Sequence, residues 1–173
     1  MPDVGAFLDQ VGNSALTWLP LVFFGLIQPY KQLDHALAVA RALGTRMIVA
    51  GDPLMDLGPL RGEPDVEWRL GYQSDAELDA LLAKATVALF PYRPELDQSG
   101  ALLRALGSGV PVGAYRAGGI AEPVERFGAG VVAAPDDVAG LVDGVRLLLD
   151  DQTALQRARA GALQARSELT WHA

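Results

Sequence analysis

The sequence predicts an α/β domain built on a doubly wound parallel sheet of about six strands, and three observations carry that expectation. Short apolar runs of buried-strand type alternate with amphipathic helical stretches through the chain. The runs are continuously apolar rather than alternating in polarity, the pattern of strands covered on both faces. Glycine-bearing loops lead from the carboxyl ends of strands into helices at three places.

Residues 1–19 are mixed in character, with Gly5, Gly12, Asn13 and Ser14, and read as a leader or the end of a linker; the domain proper is expected over 20–173. Leu21-Val22-Phe23-Phe24 is the first strand. After a loop containing Pro29, a helix carries Leu33, Ala36, Leu37, Ala40 and Leu43 on one face, and Gly44 stops it. Arg46 to Ala50 is the second strand, and the Gly- and Pro-rich stretch from Gly51 to Pro64 is a long surface loop. A shorter third strand runs from Val66 to Leu70. Ser74-Asp75-Ala76-Glu77 is a capping box, in which hydroxyl and carboxylate reciprocally satisfy free backbone N–H groups. The helix it opens buries Leu78, Leu81, Leu82 and Ala85. Thr86 to Phe90 is the fourth strand, followed by a polar loop and a helix around Ala101 to Leu106. Pro111 to Ala114 is the fifth, then Gly118-Gly119 and a short helix, and Ala129 to Ala133 is the sixth. Two helices follow, one carrying Val138, Leu141, Val142, Val145, Leu148 and Leu149, the other starting near Asp151.

A chain of 173 residues buries enough surface for one core without a metal or disulfide staple. Its net charge of −7 argues against a sequence-independent grip on nucleic acid, which needs a basic face. With no cysteine there is no disulfide framework, thiol nucleophile or thiolate metal site, and the two histidines, His35 and His172, are too far apart in sequence to suggest a metal site. His35, among apolar neighbours, reads as a surface or half-buried helix residue rather than a base, and Trp18, Trp68 and Trp171 as core or cover. The longest apolar stretch, Ala15 to Ile27, is interrupted by Thr17, Pro20 and Gly25 and falls short of the roughly 20 residues of a membrane span. Asp3 and Asp9 stand where an export signal would be positive. A cytoplasmic location is the default, with peripheral membrane attachment of a full-length protein left open.

Ligands of such sheets sit outside the strands' carboxyl ends. There, the segment from Phe90 to Leu103 runs from strand through a polar loop to a helix beginning at Ser99 or Gly100, and the unpaired N–H groups of a helix start attract phosphate. Taken alone, Asp97 or Ser99 is more simply an ordinary cap. Tyr115 to Glu122 repeats the arrangement with Gly118-Gly119, and its plain reading is a tight turn. Gly25 to Lys31 places a lysine after the first strand, where a lone loop lysine is usually solvated. Three such loops on one edge together describe a rim for a phosphate-bearing ligand.

The order Phe24-Gly25-x-x-x-Pro29-Tyr30-Lys31, Val49-Ala50-Gly51, Pro91-Tyr92-Arg93, Asp97-Gln98-Ser99-Gly100, Gly109-Val110-Pro111-Val112 and Gly118-Gly119-x-x-Glu122 resembles a known family. It is that of the C-terminal, donor-binding Rossmann-like domain of retaining GT-B glycosyltransferases of the GT4, or group 1, type, over Leu21 to Trp171. The resemblance implies a nucleotide-diphosphate sugar as donor substrate, with no further cofactor and no metal. Lys31 would meet the pyrophosphate, the Ser99 and Gly100 backbone with Ala101 the distal phosphate and sugar, and Gly71, Tyr72 and Gln73 the base. Gly25 would line the site, and Gly118, Gly119 and Glu122 its sugar end. Catalysis in the family rests on stabilising the departing diphosphate, with Lys31 and Glu95 as the catalytic candidates here and Asp97 beside them. Where many relatives carry two glutamates eight apart, this chain has Leu96 and Arg104, so Arg104 stands where the ribose is usually held. In place of an arginine commonly paired with the lysine stands Leu26 or Gln28. A GT-B enzyme has a second, N-terminal acceptor-binding domain, so the half seen here is expected to be inactive alone. Two other readings are a non-catalytic nucleotide-sugar-binding or partner subunit, and a GT-B sugar-nucleotide epimerase. Ala101-Leu102-Leu103 after Ser99-Gly100 disfavours the epimerase.

Overall fold

Continuous apolar segments of four or five residues pair side by side because each can bury both faces only when helices cover the sheet above and below. The computed structural model describes residues 20–94 and 99–169. The expected leader 1–19 with Trp18, the residues Glu95, Leu96, Asp97 and Gln98, and Trp171 and His172 lie outside them. The strands are β1 (Leu21–Phe24), β2 (Met47–Gly51), β3 (Val66–Leu70), β4 (Val87–Phe90), β5 (Val112–Tyr115) and β6 (Gly130–Ala133). The helices are α1 (Leu33–Leu43), α2 (Asp75–Lys84), α3 (Gly100–Gly107), α4 (Ala121–Phe127), α5 (Val138–Asp150) and α6 (Gln152–Leu169).

All pairings are parallel, in the order β3-β2-β1-β4-β5-β6. The chain winds outward from β1 to β3, returns to place β4 on the other side of β1, and winds outward again. Right-handed crossovers in opposite directions put their helices on opposite faces, which makes the sheet doubly wound. The reversal of direction falls between β1 and β4, and in sheets of this kind the carboxyl ends flanking such a reversal form the crevice that takes a ligand. β1, β2, β4 and β5 are wholly buried, while β3 and β6 at the edges are half-buried. α1 packs against α5, and α6 packs across α3 and α4.

Local signals stop and start these helices where the sequence suggests. Ser74 Oγ accepts from the Glu77 amide at 3.1 Å and the Glu77 carboxylate from the Ser74 amide at 3.0 Å, completing the capping box. Trp68 is half-buried on β3, with the Arg61 guanidinium 5.6 Å from its ring centre. Two differences from the sequence reading lie in loops. Pro29–Lys31 and Gly58–Gly62 are 3-10 turns, in each of which a proline presets φ, and an isolated bridge joins Ile27 to Pro53.

α6 crosses the end of α4 at Gly161, where an added Cβ would strike the Phe127 carbonyl and lie 2.8 Å from the Gly128 carbonyl carbon. Gly161→Ala is expected to cost about 2 kcal/mol despite alanine's better helix propensity, read as a lower urea midpoint.

His35 is half-buried on α1, as its neighbours suggest, and its Nδ1 lies 2.9 Å from the Tyr115 hydroxyl at the end of β5. Burial, followed by the carboxylates of Asp136, Asp137 and Asp34, pushes the Tyr115 hydroxyl up to about 12. Burial raises Tyr92 as well. Groups that keep their protons longer in the folded than in the unfolded chain contribute stability present below the unfolded value of 10 and lost as pH rises through the folded value. Urea midpoints are therefore expected to fall between pH 10 and about 12, and Tyr115→Phe to flatten part of that slope.

Candidate functional site

Because every strand is parallel, the loops after β1, β2, β3, β4 and β5 all emerge at one edge. β2 ends in Gly51, and β1 and β3 are each followed by a glycine that joins it to β2: Gly25 N–H donates to the Ala50 carbonyl at 3.0 Å, and Gly71 N–H to the Gly51 carbonyl at 2.9 Å. Gly51 has φ +149° and lies so near Gly25 that any Cβ on it would collide with the Gly25 carbonyl. Only glycine fits there. These chain ends floor a cleft of about 240 Å³, walled by Leu26, Ala50, Asp52, Tyr72, Gln73 and Leu78. Tyr72 is 87% exposed, so its ring stands free at the cleft mouth. The Gln73 amide donates to the carbonyls of Arg69 at 3.1 Å and Gly71 at 3.3 Å, which fixes the turn after β3.

Lys31 is not a solvated loop lysine. Pro29 starts a 3-10 turn that folds Lys31 inward until only 7% of it is exposed. Its Nζ lies 5.5 Å from the centre of the Tyr92 ring and 5.9 Å from that of Tyr30. A methyl group on Gly25 would come within 3.3 Å of the Lys31 Nζ and 3.7 Å of the Ala101 Cβ. Lysine, glycine and the first turn of α3 are thus brought together. Burial pushes the Lys31 ammonium below its ordinary value, and among the described residues no carboxylate stands within ion-pair range of it. An ammonium held among aromatic rings without an anion is a costly arrangement that an anionic ligand relieves.

α3 supplies the other half. Ser99 caps it, its Oγ accepting from the Leu102 amide at 3.2 Å and its carbonyl from the Leu103 amide at 3.2 Å. The amides of Gly100 and Ala101 precede any intrahelical acceptor, so they stand as donors at the start of α3. The Ser99 side chain also acts on the hydroxyl of buried Tyr92, opposing the rise that burial causes.

The remaining candidates spread outward. Arg104 turns toward α2, binding the Asp75 carboxylate at 2.9 Å, the Asp75 carbonyl at 3.0 Å and the Asp79 carboxylate at 2.9 Å. Gly118 and Gly119 form an exposed turn after β5, and Glu122 is exposed in the first turn of α4. The structure therefore groups Gly25, Lys31, Ser99, Gly100 and Ala101 around the crevice, and Gly71, Tyr72 and Gln73 around the adjoining cleft; Glu95 and Asp97 are outside the described residues. Gly51, Tyr92 and Gln32 belong to the same edge; Gly51 and Tyr92 stand in segments that carry the resemblance but have no role assigned from sequence, and Gln32 gives no signal there. A larger hollow of about 530 Å³, lined by Gly44, Arg46, Asp65, Val66 and Glu67, lies at the amino ends of β2 and β3, away from these groups. Among the described residues no cluster of His, Cys, Asp and Glu could hold a metal ion, and no helix is long and apolar enough to cross a membrane.

A parallel sheet of this order, wound in both directions from β1, is a doubly wound, Rossmann-like frame. The family model for glycosyl transferases group 1 matches residues 20–151, and the chain belongs to that family. Glycogen synthase of Mycobacterium tuberculosis (strain ATCC 25618 / H37Rv) is 33% identical over 162 residues, covering 87% of this chain and 39% of the relative. This chain thus spans about two fifths of that relative's length. The C-terminal domain of a glycosyl transferase group 1 family protein, LpcC, from Francisella tularensis superposes with a TM-score of 0.75 at 15% identity, covering 92% of this chain and 90% of that one. HepE of Anabaena, in a structure with UDP-glucose, gives 0.73 at 20% identity, covering 99% of this chain and 49% of that one. At these identities the two structures are similar in fold, and the fold is that of the C-terminal half of GT-B glycosyltransferases.

Proposed function

We propose that this chain is the donor-binding half of a retaining glycosyltransferase that moves a sugar from a nucleotide-diphosphate sugar to an acceptor held by a second domain. The observation that carries the reading is the buried ammonium of Lys31, beside Gly25 and the start of α3, which has no carboxylate partner among the described residues. A diphosphate in the crevice receives charge from Lys31 and N–H donors from Gly100 and Ala101. The nucleoside then extends toward the cleft, where Tyr72 offers a ring face to the base. When the sugar–phosphate bond breaks, negative charge grows on the diphosphate, and donors already aimed at it favour that state over the intact donor. The sugar end points along the edge to Gly118, Gly119 and Glu122, with Glu95, in the sequence between β4 and α3, as the catalytic carboxylate. HepE, solved with UDP-glucose, supports a uridine nucleotide as one donor to try.

The commitment of Arg104 to Asp75 and Asp79 favours a second reading, in which the half binds a nucleotide sugar without transferring it. Melting the chain against UDP, ADP and GDP and their glucose conjugates tests binding. At a concentration 100 times its Kd a ligand of the native state adds about 2.7 kcal/mol, and at least one of the panel is expected to do so. Sugar transfer by the chain joined to an acceptor-binding half then separates enzyme from binding subunit. Indifference to every compound contradicts both readings.

A further inference from the structure

Gln32, next to the buried lysine, is a polar side chain where neither solvent nor backbone preference asks for one. It is 4% exposed and holds φ 52°, ψ 55°, a left-handed conformation that glycine or asparagine adopts at less cost. Its amide crosses the crevice, Nε2 donating to the Pro91 carbonyl at 2.8 Å after β4. Its own N–H closes the 3-10 turn on the Pro29 carbonyl at 3.1 Å, and its carbonyl accepts from His35 at 3.0 Å to begin α1. Two residues away along both segments, Arg93 N–H donates to the Tyr30 carbonyl at 2.8 Å. The lysine turn is thus stitched to the segment after β4 on both sides of Tyr92, the ring that covers Lys31.

Resting on the reading of Lys31 as the diphosphate contact, we propose that Gln32 is a positioning residue whose buried amide, bonded to Pro91, holds Lys31 over Gly25 and sets its distance from the start of α3. A residue kept only for folding would not need this conformation, since glycine meets the backbone requirement and removes the strain. Glutamine is retained at a strained position because its side chain spans to Pro91. Asparagine tolerates the conformation but is one methylene shorter and does not reach.

The test uses the whole chain with Gln32→Gly and Gln32→Asn, each in the natural and the Lys31→Ala background, and UDP, ADP and GDP as probes. Both Gln32 variants are expected to melt close to the natural chain and to bind the preferred diphosphate about tenfold more weakly, with no further loss once Lys31 is absent. A second readout needs no nucleotide. Lys31 and Lys84 are the two lysines of the sequence, so the side-chain resonances of Lys31 can be titrated directly. Freed from its slot, Lys31 is expected to titrate nearer the ordinary 10.5 in the variants than in the natural chain. Unchanged affinity together with unchanged Lys31 titration overturns the proposal, as does an equal loss with and without Lys31. Failure of the natural chain to bind any probe counts against the nucleotide-sugar reading itself, and the Lys31 titration then decides the positioning role alone.

Discussion

Replacing Lys31 by alanine is expected to weaken nucleoside diphosphate binding by about 2.7 kcal/mol, roughly a hundredfold in Kd, because a charged hydrogen bond to phosphate is lost from a desolvated slot. Stability is expected to change by no more than about 1 kcal/mol, since loss of the packed aliphatic stem opposes relief of a buried charge. The contrast distinguishes a binding lysine from a structural one, and calorimetric titration beside a thermal melt reads both. A pH dependence accompanies it. The folded chain disfavours the charged lysine, so the unfolded chain holds the proton longer, and the Lys31 contribution to stability rises with pH between the lowered value and 10.5. Diphosphate affinity moves the opposite way over the same window, falling as the ammonium is lost, and Lys31→Ala is expected to remove that dependence.

Gly51→Ala is expected to be the most damaging single-methyl addition at this edge. At φ +149° the new Cβ collides with the Gly25 carbonyl, and neither backbone can retreat, because β1 and β2 are paired along Leu21 to Phe24 and Met47 to Ala50. A cost of about 3 kcal/mol follows, lowering the melting temperature by about 10 °C. The same displacement moves the Gly25 segment that floors the cleft and underlies Lys31, so nucleotide binding falls as well. Gly62→Ala, which meets nothing within 4 Å, is the control expected to leave both unchanged.

The element order was legible because each strand is an apolar run too short for a helix and each helix shows its face, its cap or its stop. Ser74 with Glu77, and Gly44 after Leu43, are local signals, and the structure realises them at those residues. The gathering of the three glycine-bearing loops at one edge was legible because parallel strands must bring their following loops there. What could not be read locally is the burial of Lys31. It depends on Tyr92, 61 positions along, closing over a turn whose direction Pro29 and Gln32 set together. Gln32 carried no signal for the same reason: its partner is the Pro91 carbonyl, a group every residue possesses. The turn of Arg104 toward α2 was equally hidden, since Asp75 and Asp79 are acidic positions on an exposed helix face until the fold brings α3 beside them.

The proposed function requires the carboxyl-end edge at the reversal between β1 and β4 to receive a nucleoside diphosphate. Backbone amide NMR of the chain titrated with UDP, ADP and GDP tests this most directly. The expected result is a set of saturable shifts at Gly25, Lys31, Gly71, Gly100 and Ala101 with at least one of the three. Shifts confined to the opposite edge, at Gly44, Asp65 and Val66, or none with any nucleotide, would contradict it.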